Sequence, residues 1–223
     1  MKRVSIKVRP DGVNLRAAAL GCLFGLALCA FSAQADALAL QGKYTVLAGK
    51  TAPAPHTLDV VVVEEFLNFS CPHCNAFREV AKPVFAKYGK RLKLVRIPVL
   101  FRGQGDAPLR LFYVAQAHDR EDEIDEALFD ARFRNDVDNF SPDIVSYLAR
   151  SNGLEEAYEK EASLPWVDHR IADGMVQADA AGVDATPTLL VEGVLKLVPQ
   201  STMADFVANF DNVVAQLLKK PEK

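Results

Sequence analysis

The sequence predicts an α/β fold: one central sheet made from a β-α-β unit and a β-β-α unit, with helices on both faces and a helical block inserted between the halves. Three observations carry this prediction. A β-branched apolar run, Leu58 to Phe66, is followed within a few residues by a helical pattern and then by a second strand pattern. From Asp106 to about Leu164 the apolar spacing is helical throughout. Two short strand patterns joined by Glu192-Gly193 then lead into a strongly amphipathic segment.

In chain order, residues 36–57 are loosely patterned, and Ala52-Pro53-Ala54-Pro55 reads as an extended lead-in. The length and valine content of Leu58 to Phe66 favour a buried strand. Pro72 to Lys87 then places Phe77, Val80, Ala81, Val84 and Phe85 at helical spacing, with Tyr88 just beyond, so that one face turns inward. Pro72 suits an early helical position, where its missing amide has no partner to lose. Pro83 is expected to kink or break the helix. Arg91 to Phe101 alternates well enough for a second strand, and Arg102-Gly103-Gln104-Gly105 is a turn. In the block that follows, Leu109, Phe112 and Tyr113 mark one helix and Ile124, Leu128 and Phe129 another. Ser141-Pro142 is expected to cap a third, with Ile144, Tyr147 and Leu148 inward and Asn152-Gly153 at its end. Trp166 to Ala181 is a further helix stopped by Gly182. Thr188 to Val191 and Val194 to Val198 form a hairpin, and Thr202 to Lys219 a helix whose Thr202 and Asp205 resemble a capping box. The expected organisation is a signal segment over 1–35, the first part of the sheet domain over 36–105, an inserted helical domain with a connecting helix over 106–181, and the second part of the sheet domain over 182–223.

The 223 residues are 50% hydrophobic and 25% charged, as in globular proteins, and the formal net charge of −3 argues against a nucleic-acid partner. The amino-terminal stretch differs. Met1 to Arg16 holds Lys2, Arg3, Lys7, Arg9 and Arg16 against the single acid Asp11; an uncharged run from Ala17 to Phe31 follows, then Ala33-Gln34-Ala35. A basic start, a short apolar middle and a small-residue site describe a secretory signal, with cleavage expected after Ala35. The run falls short of the roughly 20 residues a spanning helix needs, which disfavours an uncleaved anchor. A lipoprotein reading is weaker, since Cys29 follows Leu28 and Cys22 lies very early in the run. Cleavage would remove five basic residues and one acid, taking the net charge from −3 to −7, and would leave Cys71 and Cys74 as the only cysteines of an exported chain.

Exported cysteines usually pair. A bridge between Cys71 and Cys74 closes so small a ring that it adds little through loop entropy, so redox chemistry explains the spacing better than stapling. Structural zinc needs about four ligands, and no second cysteine pair or paired histidine motif supplies them. Covalent haem attachment requires histidine directly after the second cysteine, where Asn75 stands. Cys71 falls where a strand ends and a helix begins, and there unpaired amides and the helix dipole favour an anion. Its thiol should therefore ionise well below the free value of about 8.5. His73 is either a further donor to that thiolate or a solvated first-turn side chain. Cys74, a turn deeper, would be the resolving thiol. Stabilising the Cys71 thiolate favours the reduced protein, so the disulfide form should tend to pass its bond on. A depression of several pKa units amounts to roughly 4–7 kcal/mol of such drive.

Glu65 to Phe77, which contains Cys71-Pro72-His73-Cys74, resembles the active-site segment of the DsbA family of bacterial disulfide oxidases. Gly182 to Gly193, with Ala185-Thr186-Pro187, is similar to that family's cis-proline segment. The resemblance extends over essentially all of the chain beyond the signal and implies a thioredoxin fold. It further implies that Cys71 is the reactive sulfur and that Pro187 is cis and faces the disulfide. Thr186 would offer backbone hydrogen bonds to a bound peptide, and Glu65 would be a buried carboxylate assisting proton movement at Cys74. The family's basic partner for that acid is usually lysine, and Arg96 fills its place. Strong oxidising power and a low thiol pKa are properties for which DsbA is the reference case. No cofactor beyond the Cys71–Cys74 disulfide and no metal is implied. The implied partners are reduced or unfolded exported proteins and a DsbB-like, quinone-linked membrane oxidase, with the protein a periplasmic monomer. A disulfide isomerase or reductase is the first alternative, ranked lower because residues 36–57 are too few for the dimerisation domain such isomerases carry. A peptide-binding chaperone on the same fold is the second; its binding would survive replacement of both cysteines by serine.

Overall fold

The apolar valine run becomes an interior strand of the sheet, flanked on both sides. Strand β2 (Val61–Leu67) pairs in parallel with β3 (Leu92–Pro98) and antiparallel with β4 (Thr188–Val191). The computed structural model describes residues 40–220; the expected signal segment, with Cys22 and Cys29, lies outside them. Two further strands, β1 (Tyr44–Val46) and β5 (Leu195–Leu197), complete a five-stranded sheet in the order β1-β5-β4-β2-β3. Glu192 and Gly193 join β4 to β5 with both residues at positive φ, 56° and 62°, as a tight hairpin requires.

Two helices cover one face: α1 (Pro72–Tyr88) and α7 (Met203–Leu217). Val61, Val63, Leu189 and Val191 of the sheet meet Phe77 and Val84 of α1 and Phe206, Phe210, Val213 and Val214 of α7. Phe66 and Leu190 point the other way, toward Ile97, Ala178 and Ala181. Burial on both sides explains why β2 reads as continuous valine rather than as alternation. Between the two halves run α2 (Ala107–Ala117), α3 (Glu121–Phe133), α4 (Pro142–Ser151), α5 (Glu155–Glu161) and α6 (Pro165–Ala180). Their core, including Leu109, Phe112, Ile124, Leu128, Phe129 and Val145, is continuous with Leu67, Phe69, Cys71 and Cys74. The described residues thus form a thioredoxin-like fold with a helical insertion.

Several local expectations are corrected. Helix α1 runs unbroken through Pro83. Pro83 is exposed, so the carbonyl it leaves unbonded can turn to water. Val80 and Tyr147, expected inward, are 39% and 61% exposed. Ser141 holds the N-cap position of α4, but its hydroxyl makes no capping bond. At α7 the Thr202 hydroxyl accepts from the Asp205 amide at 3.0 Å, but the Asp205 carboxylate accepts a hydrogen bond from the Thr202 hydroxyl instead of from the backbone. The first long strand begins at Val61 rather than Leu58, which instead bridges Leu218. Strand β1 gave no sequence signal because three residues, none of them buried, carry no alternation.

Helix α6 approaches β3 and α2 closely at Gly174, where a Cβ would stand 3.1 Å from Ile97 Cγ2 and 3.1 Å from the Tyr113 hydroxyl. Gly174→Leu should therefore lower stability by about 1–3 kcal/mol through overpacking. The urea unfolding midpoint checks this, and an unchanged midpoint would contradict the close approach.

Candidate active site

Strand β2 ends at Leu67, and Asn68, Phe69 and Ser70 turn the chain into α1. The Cys71 amide donates to the Asn68 carbonyl at 2.9 Å, and Asn75 returns to the Cys71 carbonyl at 3.2 Å. Cys71 is the N-cap residue, in extended conformation, with Pro72 at the first helical position. No acid lies in the first turn, so the positive helix end is left for the sulfur. A buried amide network holds this turn. Asn68 Nδ2 donates to the Val99 carbonyl (2.7 Å) and to Gln104 Oε1 (2.8 Å), and Asn68 Oδ1 accepts from the Ser70 amide and hydroxyl.

Cys71 and Cys74 are both buried and stand as free thiols. The Cys71 thiol is pulled down to about 5. The first cause is the hydrogen bond from Cys74, followed among the favourable ones by the Thr186 side chain and the backbone amides of Cys74 and His73; burial opposes them. His73 thus reaches the sulfur through its backbone amide, while its exposed side chain lines the adjoining groove. The Cys74 thiol is pushed far above the range of a free thiol, first by burial, then by its bond to Cys71 and by the charge of Glu65. The two sulfurs are therefore unequal: one is suited to leave or attack as an anion, the other to hold a proton.

The Thr186–Pro187 bond is cis, and Cys71 Sγ donates to the Thr186 carbonyl at 3.1 Å. Thr186 is 9% exposed, and its hydroxyl is buried without a hydrogen-bond partner. Beside it opens a groove of about 330 Å³, lined by His73, Thr186, Pro187, Gln200, Met203 and Phe206. The segment from Pro199 to Ser201 in this wall was not singled out from sequence.

Beneath the sulfurs, Glu65 is 1% exposed, set between Arg96 on β3 and Leu189 on β4. Its carboxyl is pushed up to about 8, chiefly by burial and then by the charge of Asp125; Arg96 and Arg78 oppose the shift. Arg96 does not form an ion pair with Glu65. It lies 2.6 Å from Asp122, 3.6 Å from Glu121 and 3.8 Å from Asp125, all on α3. Arg78 Nε bonds Asp125 Oδ2 at 3.0 Å. Sequence reading missed Arg78 and Asp125. Asp125 did leave a trace there: it lies three and four residues before Leu128 and Phe129, on the apolar stripe of its helix.

An unequal pair of thiols at a helix start, facing a cis proline on a thioredoxin-like sheet, defines a thiol–disulfide oxidoreductase. The family model described as "Thioredoxin" matches residues 51–209. The thiol:disulfide interchange protein DsbA of an Escherichia coli O6:H1 strain is 30% identical over 212 residues, spanning 89% of this chain and 96% of that protein. Among solved structures, DsbA from Xylella fastidiosa superposes with a TM-score of 0.66 at 21% identity, over 78% of this chain and 94% of that one. A DsbA of Proteus mirabilis with a non-covalently bound peptide gives 0.61 at 22% identity, over 80% and 96%. The chain belongs to the DsbA family of the thioredoxin superfamily.

Proposed function

We propose that the protein donates its Cys71–Cys74 disulfide to newly translocated proteins in the periplasm. The observation that carries this reading is the contrast between a Cys71 thiol pulled down to about 5 and a buried Cys74 thiol pushed far above its free range. In the oxidised protein a substrate thiolate attacks Cys71. The electron pair of the broken S–S bond goes to Cys74, whose buried sulfur takes up a proton. Glu65, pushed up to about 8, still carries a proton at neutral pH and supplies it. A second substrate thiolate then attacks the mixed disulfide, and Cys71 leaves as a stable thiolate. The substrate gains the disulfide, and the protein is left with one thiolate and one thiol.

The groove beside Pro187 receives the substrate chain, with the Thr186 backbone as its hydrogen-bonding edge; the peptide carried by the Proteus mirabilis relative supports this assignment. The protein acts as a monomer without metal or further cofactor, and a DsbB-like, quinone-linked membrane oxidase restores the disulfide. The basic, apolar and small-residue pattern of residues 1–35 supports export.

The reduction potential of the purified protein in glutathione buffers tests the assignment. It should lie well above the roughly −270 mV of thioredoxin. A value near that of thioredoxin would make the protein a reductase instead.

A further inference from the structure

The inserted helices bring a second carboxylate to the underside of the site. Glu65 and Asp125 are 1% and 3% exposed and line the same cavity of about 470 Å³. Glu65 Oε1 and Asp125 Oδ1 are both buried without a hydrogen-bond partner. We propose that Asp125 and Glu65 form a carboxylate pair sharing one proton, in which Asp125 carries the charge and Glu65 the proton delivered to Cys74. This rests on the reading of Glu65 as the proton donor and adds Asp125 as its positioning residue.

The distribution of cations assigns the roles. Two carboxylates in a poorly solvated space cannot easily both ionise, and the one nearer to positive charge ionises first. Asp125 has Arg78 Nε at 3.0 Å and Arg96 Nε at 3.8 Å, whereas Glu65 makes no ion pair among the described residues. The other charged groups around the cavity are Lys82 on α1 and Glu121, Asp122 and Glu126 on α3. Arg96 is drawn toward that acidic end of α3, at 2.6 Å from Asp122, and so away from Glu65. Strand β4 contributes the uncharged Leu189 beside Glu65.

The cycle balances. As the S–S bond breaks, its electron pair moves to Cys74 and the proton passes from Glu65 to that sulfur. Glu65 is then an anion beside ionised Asp125. Repulsion between them drives it to take back a proton of the kind the substrate thiols release to water, by way of the cavity.

The test is the carboxyl titration of Glu65 and Asp125, followed by carbon NMR on the reduced full chain, together with the pH profile of exchange with a dithiol peptide. In the unmodified protein Glu65 should ionise at the higher pH of the two; the reverse order overturns the proposal whether or not any variant folds. In Asp125→Asn the Glu65 midpoint should fall by about one unit or more, carrying the alkaline limb of the exchange profile with it. Asp125→Glu should restore both. Glu65→Gln should abolish that limb, and adding Asp125→Asn to it should change the profile no further. If Glu65→Gln leaves the limb in place, the proton-donor reading itself fails. If Glu65→Gln removes it and Asp125→Asn leaves the Glu65 midpoint unmoved, only the pairing fails.

Discussion

The stability advantage of the reduced protein over the oxidised one should grow by about 4 kcal/mol between pH 4.5 and pH 8.5. Cys71 ionises at about 5 in the folded protein and at about 8.5 in an unfolded chain. A depressed acid contributes stability that is complete above the unfolded value and is lost as pH falls through the folded one. Between those limits the unfolded reduced chain binds a proton that the folded one does not, at about 1.4 kcal/mol per pH unit. At pH 7 about 3 kcal/mol of the contribution should be present, and below pH 5 almost none. Cys71 is 8% exposed, so solvent screens little of it. The oxidised protein lacks this titration altogether. Its four-residue ring contributes a loop-entropy offset of about 2 kcal/mol that does not vary with pH. Glu65, raised to about 8, titrates in both forms and largely drops out of the difference. Above pH 8.5 the advantage should shrink again, because Cys74 ionises freely only once unfolded. Urea midpoints of both forms at pH 4.5, 7 and 8.5 check the slope; parallel curves across that range would mean that the Cys71 thiolate gains nothing from its surroundings.

The same free energy governs stability and redox poise. Whatever stabilises the Cys71 anion stabilises the reduced fold and weakens the disulfide by an equal amount. The sequence placed this sulfur at a helix start, and the helix end is indeed free of acids. It did not reveal that the largest contribution comes from the neighbouring Cys74, or that Thr186 meets the sulfur from 115 residues away along the chain. These contributions depend on the approach of separate elements, which local spacing does not encode.

Elsewhere legibility followed the length and periodicity of each segment. The valine strand β2, the helix behind the cysteines and the carboxy-terminal helix α7 were plain from their apolar rhythm, because each buries a long face. The three-residue strand β1 and the segment from Pro199 to Ser201 were not, since neither buries enough to leave a pattern. Glu65 was ambiguous by itself: an acid near the end of an apolar run reads as a surface residue until two neighbouring strands enclose it. The charges beneath it, Arg78 from α1 and Asp125 from α3, lie 47 residues apart and meet only through the insertion.

Phe69→Ala should lower stability by about 3–5 kcal/mol and expose Cys74 to reagents. The Phe69 ring is fully buried, with centroids 5.8 Å from Phe112 and 5.4 Å from Phe129. Truncating a large buried ring loses its transfer free energy and leaves a cavity that the surroundings fill only in part. Its backbone would remain held, because Asn139 Nδ2 donates to the Phe69 carbonyl at 2.8 Å and to that of Leu128 at 2.9 Å. The turn should therefore keep its path while the packing between site and insertion loosens. Cys71 and Cys74 share the cluster with this ring, so the loss should be felt at the inner sulfur. In the unmodified reduced protein an alkylating reagent at neutral pH should label Cys71 and spare Cys74, which is 0% exposed and held neutral by burial. In Phe69→Ala the labelling of Cys74 should rise severalfold while that of Cys71 stays rapid. A urea midpoint shifted by less than 1 kcal/mol equivalent, with Cys74 still protected, would mean that the insertion merely abuts the active-site turn and does not seal it.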